Sequence, residues 1–558
     1  MMFPAQPREL PMALRPPSVG EPSSPAGTPS AVELFLVLIL CCAVTGAYAV
    51  YAGQDTNWDQ RNYHVYSVYA WFNGRADMDV MPGQIQTWIN PLPHVPQYWL
   101  IRHLPPVWAG IGMGVLAGFN GLLLWVLTRR LVGDSLAAAS RACAMLVTVM
   151  GVTGSMYVSY IGTTFAEYLC SPFILAALVV LVPADRAAGT WPTRSLLLSG
   201  LFLGFATGLK LTNAVFAIAM AVSLLALWPA MTLRCRGLVA FAGGGLAGFA
   251  AFGGIWALSL ELAFGNPVFP FFNAVFQSPW IDVMNFRDMR FPPNAFLHAS
   301  VTYPFVWFLG LTHPTSELSF REPRFALVAV ILPLASAASV WRLRPRGAEA
   351  GGARMRPRSI ELWLLSLFFV ISYAIWLNQF GVQRYTLPLE LLAGALILLG
   401  LDTMISRLKT VAVTFGVIVL FAALWTRAPD WTRMSYGVSW FDIAATTSSP
   451  SGNLYVMLTQ EPMAYAIPFM PKQDRFVRVA GNISLEPQMH LGRRAAGIIQ
   501  QHPGPIRTLS VGPLSEDDRS RLRRFGLTEQ NECQTFRSRL DTFLTCGLQR
   551  VSRERVSR

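Results

Sequence analysis

Charge is what this chain has least of: Asp, Glu, Lys and Arg make up 13% of its 558 residues and 53% are hydrophobic, where soluble proteins carry about 25% charged. That deficit excludes an ordinary water-soluble fold and makes lipid the main solvent. Also missing are the alternating segments of about ten residues that build a membrane β-barrel. The apolar runs are continuous and about twenty residues long, the reach of a spanning helix. An unpaired amide in hydrocarbon costs several kcal/mol, and a helix pairs its amides within one segment. No Walker loop, Rossmann glycine pattern, HExxH or CxxC pair stands in a suitable context, which argues against a soluble nucleotide cofactor. The basic residues are not interleaved with stacking aromatics. The net charge of +13 therefore reads as topological, and no nucleic-acid partner is expected.

Residues 1 to 30, rich in Pro, Ser and Ala, are expected to form a disordered cytoplasmic terminus. The first apolar run, Val32 to Tyr51, ends at Ala47-Tyr48-Ala49 like a signal peptide. It is long enough to span and lacks an adjacent basic stretch, so it is read as a retained helix. Further spans are predicted at 107 to 128, 141 to 158, 164 to 182, 195 to 209, 212 to 229, 237 to 260, 325 to 341, 360 to 378, 385 to 401 and 410 to 426. Val301 to Leu311 is about half the length needed and reads as interfacial or re-entrant. Gly243-Gly244-Gly245 inside a span marks close helix packing.

The basic residues then fix an orientation, because cytoplasmic loops hold the Arg and Lys of a membrane protein. Arg129, Arg130 and Arg141; Arg186 and Arg194; Arg234 and Arg236; Arg342 to Arg358; and Arg407 with Lys409 fall in alternate loops, while the intervening short turns hold only Lys210 and Arg384. The N-terminus is thus predicted to be cytoplasmic. Loops 53 to 106 and 261 to 324, and everything after about 427, face outward. The fold expected is an α-helical polytopic membrane bundle of about eleven transmembrane helices over 31 to 426, followed by a small soluble α/β domain over 427 to 558. In that tail Asn453 to Leu458 and Phe543 to Leu548 read as strands, and Arg493 to Gln501 and Glu516 to Phe525 as helices. Cys533 and Cys546 share the outward compartment, so a disulfide between them is expected.

Just outside the first helix the chain reads Asp55-Thr56-Asn57-Trp58-Asp59-Gln60-Arg61-Asn62-Tyr63-His64. Two carboxylates one helical turn apart at a low-dielectric boundary suit a general base for a hydroxyl acceptor, or a ligand for a divalent metal. The plainer alternative has Asp59 capping an amphipathic helix from Gln60 to Phe72 and Asp55 solvated in a loop. Glu167, Lys210, Arg321, Glu322, Arg324, Arg384 and Glu390 also fall at outward helix ends, where charge beside hydrocarbon is costly unless paired or wet. Lys210 and Arg384 run against the charge bias, and their use would be to bind a lipid phosphate; the alternative is snorkelling to the interface. His64 reads as a hydrogen-bonded loop histidine or, less simply, as part of a site.

Taken in order, four patches resemble the bacterial GT-C superfamily of multi-spanning glycosyltransferases: the acidic first outer loop with Asp55, Asp59 and Asn62-Tyr63-His64; Gly208-Leu209-Lys210; Gly265-Asn266-Pro267-Val268-Phe269-Pro270-Phe271-Phe272-Asn273; and Arg384-Tyr385 with Pro388-Leu389-Glu390. Ser316-Glu317 with Arg321-Glu322-Pro323-Arg324 is a fifth. The resemblance implies a bacterial inner-membrane enzyme that moves a sugar from a polyprenyl-phosphate donor to a cell-envelope glycan or lipid acceptor, with inversion at the anomeric carbon. It implies Asp55 or Asp59 as catalytic base, and His64, Glu167, Lys210, Arg324, Arg384 and Glu390 around the substrate. A divalent cation is left open, since the loop lacks a plain adjacent acidic pair. Two rivals stand beside it: a transporter of lipid or polysaccharide, which calls for repeats or broken helices, and a polymerase or ligase using a lipid diphosphate.

Overall fold

The computed structural model describes residues 29–132, 139–182, 191–227, 231–286, 288, 290–291, 296–310, 315–343, 357–443, 452–483 and 485–551. The expected disordered terminus, apart from residues 29 and 30, and the basic loops 183–190 and 344–356 lie outside the described residues. The helices run α1 (Ala31–Ala52), α2 (Val65–Phe72), α3 (Val95–His103), α4 (Pro106–Val132), α5 (Ser140–Val152), α6 (Ser155–Tyr160), α7 (Glu167–Leu181), α8 (Thr193–Leu209), α9 (Ala214–Leu227), α10 (Met231–Phe249), α11 (Ile255–Phe264), α12 (Asn273–Phe276), α13 (Phe296–Leu309), α14 (Arg324–Leu343), α15 (Pro357–Gln379), α16 (Leu387–Met404) and α17 (Leu408–Trp425). Among the described residues six helices are long and apolar enough to cross a membrane, and five shorter apolar ones accompany them. The chain is a multi-pass membrane protein.

Each run predicted from hydropathy carries a helix, with one correction. The span expected at 141 to 158 is broken between α5 and α6. Glu390 enters the break, its carboxylate accepting from Ser155 Oγ at 3.1 Å and from the N–H groups of Met156 and Tyr157 at 3.0 and 2.9 Å. Glu322 accepts from the Ser155 N–H at 2.8 Å. These amides are the orphan donors of a helix start, and Gly154 admits the acid because a Cβ there would collide with the Glu390 carboxylate. The segment 301 to 311 lies mostly in α13, whose 14 residues reach about 21 Å at 1.5 Å per residue, short of a hydrocarbon core of about 30 Å.

Helix α8 packs against α10 along a glycine stripe. A Cβ on Gly200 or Gly204 would run into the backbone of Phe241 or Gly245, and one on Gly244 or Gly248 into that of Leu197 or Leu201. Small residues at a four-residue spacing let two backbones approach in lipid, where no hydrophobic force draws helices together. Of the predicted triplet, Gly244 is the residue pressed against a facing backbone; Gly243 has open space.

The tail folds on a five-stranded sheet of order β4-β3-β5-β7-β6, with β3 (Leu454–Met457), β4 (Arg475–Arg478), β5 (Ile506–Val511), β6 (Leu527–Arg537), β7 (Thr542–Arg550) and helices α18 (His490–Gln501) and α19 (Glu516–Arg524). Strand β3 is parallel to β4 and β5. Cys533 faces Cys546 across β6 and β7, and the two are bridged. The tail is stitched to the loop 53 to 106. Strand β1 (Gln54–Asp55) pairs with β2 (Arg433–Met434), and Val80 bridges to Val477 at the edge of β4. Arg75 and Asp79 form a buried pair at 2.6 Å. Its spare capacity is used on the tail: Arg75 donates to the Asp474 and Lys472 carbonyls, and Asp79 accepts the Phe476 N–H.

Candidate active site

Asp55 leaves α1 through Gly53, enters β1 and is completely buried. Its carboxylate accepts from the Asn57 amide and backbone, from Gln60 Nε2 at 3.0 Å, and from the Thr164 N–H and hydroxyl at 2.8 and 3.0 Å. A carboxylate so fully subscribed holds a loop in shape. It is not the solvated loop residue of the plainer reading. Asp59 starts the turn Gln60–His64 that leads into α2, yet makes no side-chain cap bond. Its Oδ2 instead takes Arg384 Nη1 at 2.7 Å, which is a correction to the capping alternative.

Arg384 stands on the short turn Gln383–Thr386 that opens α16. Tyr385 follows it, and two cations approach its ring: Lys210 Nζ is 4.7 Å and the Arg384 guanidinium carbon 5.4 Å from its centroid. An aromatic face stabilises a cation at such distances. Lys210 is set by α8, whose last turn it closes, and its Nζ reaches Glu167 Oε1 at 2.7 Å. Glu167 is the first residue of α7, where the helix dipole favours an acid. Asn90 of the loop 53 to 106 donates to the Gly208 and Phe252 carbonyls, tying that loop to the helix end that carries Lys210.

Near the ion pairs lie two stacked imidazoles, His64 and His94, with centroids 3.9 Å apart. The Thr164 hydroxyl gives its only proton to Asp55, so His64 Nδ1, 2.9 Å away, donates to it. His94 Nδ1 donates to the Thr164 carbonyl at 3.2 Å. Both rings are thereby held as the Nδ1–H tautomer with a bare Nε2. Burial pushes the His94 pKa down to about 3, reinforced by Lys210. Burial also holds His64 well below the usual histidine value, helped by His94, Lys210 and Arg384.

The structure therefore brings Asp55, Asp59, His64, Glu167, Lys210 and Arg384 into one neighbourhood. Arg324 and Glu390 belong to a different network. Arg324, completely buried, donates to Glu322, the Met150 carbonyl, Thr153 and Thr426, none of which partners the Asp59–Arg384 cluster. Sequence reasoning missed His94 and Thr164. The first sits in a Pro-Leu-Pro-His turn, and the second was placed inside a span that actually begins three residues later, at Glu167. The one local signal was Gly162-Thr163-Thr164, a polar interruption between apolar runs.

The sequence matches no protein-family model and no curated protein. Among solved structures it is similar to ArnT from Cupriavidus metallidurans bound to undecaprenyl phosphate, with a TM-score of 0.51 and 11% identity over 93% of this chain and 98% of that one. The apo state of the same protein gives a TM-score of 0.51 and 11% identity over 92% and 98%. At that identity the likeness is one of fold, and it is a fold the chain shares with ArnT over nearly the full length of both.

Proposed function

We propose that the chain is a membrane glycosyltransferase that moves a sugar from a polyprenyl-phosphate donor to a cell-envelope glycan or lipid acceptor at the outer face of the bacterial inner membrane. The observation that carries this reading is the cluster of Asp59, Arg384, Tyr385, Lys210 and Glu167, in a fold shared with a protein solved with undecaprenyl phosphate. Lys210 and Arg384 bind the donor phosphate. Asp59 takes the proton of the acceptor hydroxyl, and the acceptor oxygen bonds to the anomeric carbon. The bond from that carbon to the phosphate oxygen breaks, its electron pair staying on the phosphate, where the two cations stabilise the new charge. A single displacement inverts the anomeric centre. Asp55, by its five donor groups, keeps the loop that presents Asp59 in place. In this orientation the N-terminus is cytoplasmic and the tail lies outside.

A transporter draws less support. The helix broken at Gly154 is closed by Glu322 and Glu390, which leaves its freed amides no capacity for a passing ion. The test is mass analysis of envelope glycans from a deletion strain. One sugar is expected to disappear, to return with the wild-type chain and to stay missing with Asp59→Asn. An unchanged glycan profile in the deletion strain rejects the transferase reading.

A further inference from the structure

The resting cluster is electrically closed on itself: two cations, two carboxylates, each cation already bound to an acid at 2.7 Å. A site built only to hold an anion has no need of that. The side chains of Glu167, Asp59, Lys210 and Arg384 are 6%, 12%, 17% and 18% exposed, so the cations show more of themselves to water than the acids do. Both pairs are also incomplete. Glu167 Oε2 and Arg384 Nε are buried with no hydrogen-bond partner among the described residues, and the adjacent Gln383, fully buried, uses neither end of its amide. Buried polar atoms are paired in the great majority of cases. Unmet polar atoms on both ion pairs, Glu167 Oε2 on one and Arg384 Nε on the other, thus mark a place that a ligand completes.

Resting on the donor reading above, we propose that Glu167 and Asp59 are placeholders for the donor phosphate. On binding, the phosphate oxygens take over Lys210 and Arg384, with the vacant Arg384 Nε–H as an additional donor, and the two carboxylates let go. No covalent bond changes in this step; one set of ion pairs replaces another. Asp59 is then free to receive the acceptor's proton, and Glu167, already carrying an unmet oxygen, is free to accept from a hydroxyl of the donor sugar. The exchange imposes an order. Until the phosphate arrives, Asp59 is engaged with Arg384, so the donor enters before the acceptor.

The test is the affinity of the full-length protein in lipid nanodiscs for undecaprenyl phosphate as probe, measured in a double-mutant cycle. Lys210→Ala weakens binding. Glu167→Gln strengthens it about fivefold, because the internal competitor is gone, and in the Lys210→Ala background that gain disappears. The second cycle, Asp59→Asn with Arg384→Ala, repeats the measurement on the other pair and serves if Glu167→Gln fails to fold. Unchanged or weaker binding on removing either acid overturns the proposal. So does a gain that persists without its cation, which is mere relief of repulsion. If neither Lys210→Ala nor Arg384→Ala weakens the lipid, the donor reading itself falls and the placeholder role with it. If they do weaken it while the acids show no coupling, only the placeholder role falls.

Discussion

Two aspartates four residues apart have opposite fates. Asp55 has no capacity left, while Asp59 spends one oxygen on a single arginine. Their Asn variants should therefore fail differently. Asp59→Asn is expected to cut transfer by about a hundredfold or more, the scale of a lost general base, with the thermal midpoint nearly unmoved. Asp55→Asn turns an amide toward donors that need an acceptor, costing about 1–3 kcal/mol or more, and should show first as a lowered midpoint. Sequence spacing made both acids visible but left them indistinguishable, because the donors that occupy Asp55 include Thr164, more than a hundred residues away in the chain.

The imidazoles make a pH prediction. His94 folded has a pKa of about 3, against about 6.5 unfolded. The unfolded chain thus binds the extra proton between those values, so stability is full above about 6.5 and declines as pH falls toward 3. A thermal midpoint that drops between pH 6.5 and 4 is expected, with a shallower drop in His94→Gln. An identical slope in the variant would remove His94 from the account.

At the scale of elements, hydropathy found the helices because length and apolarity are properties of a contiguous segment. It did not find the break at Gly154, which exists because Glu322, just ahead of α14, and Glu390, on α16, arrive from far along the chain to cap α6. The glycine stripe of α8 was half visible. Gly243-Gly244-Gly245 announced close packing, but the answering Gly200 and Gly204 only gain meaning once the two helices face each other. Since α8 delivers Lys210, its seating bears on the proposed donor site. Gly204→Leu should force α8 from α10 at about 1–3 kcal/mol of strain and raise the donor KM more than it lowers kcat. The reverse split would show that α8 does not set Lys210.

For the whole molecule the decisive join is between the loop 53 to 106 and the tail. Asp79→Ala leaves Arg75 charged and buried among carbonyls, a loss of about 3–5 kcal/mol for a broken buried pair. The expected result is faster proteolysis between loop and tail; unchanged cleavage would show the join is held elsewhere. Of the tail's sheet, β3 was readable from a strand-like alternation over Asn453 to Leu458, and β7 over Phe543 to Leu548. Strands β4, β5 and β6 were not. β4 is the short Arg-Phe-Val-Arg, and most of β6 is polar and exposed along its length, so neither carries a hydrophobic period.

The pairing of Gln54 and Asp55 with Arg433 and Met434 joins a segment made early in synthesis to one made some 380 residues later. The aspartate that shapes the loop thus gets its strand partner only after α17 has been made. Catalytic competence should accordingly be the last property a nascent copy acquires, and a chain halted before residue 433 should already be threaded through lipid yet remain inert.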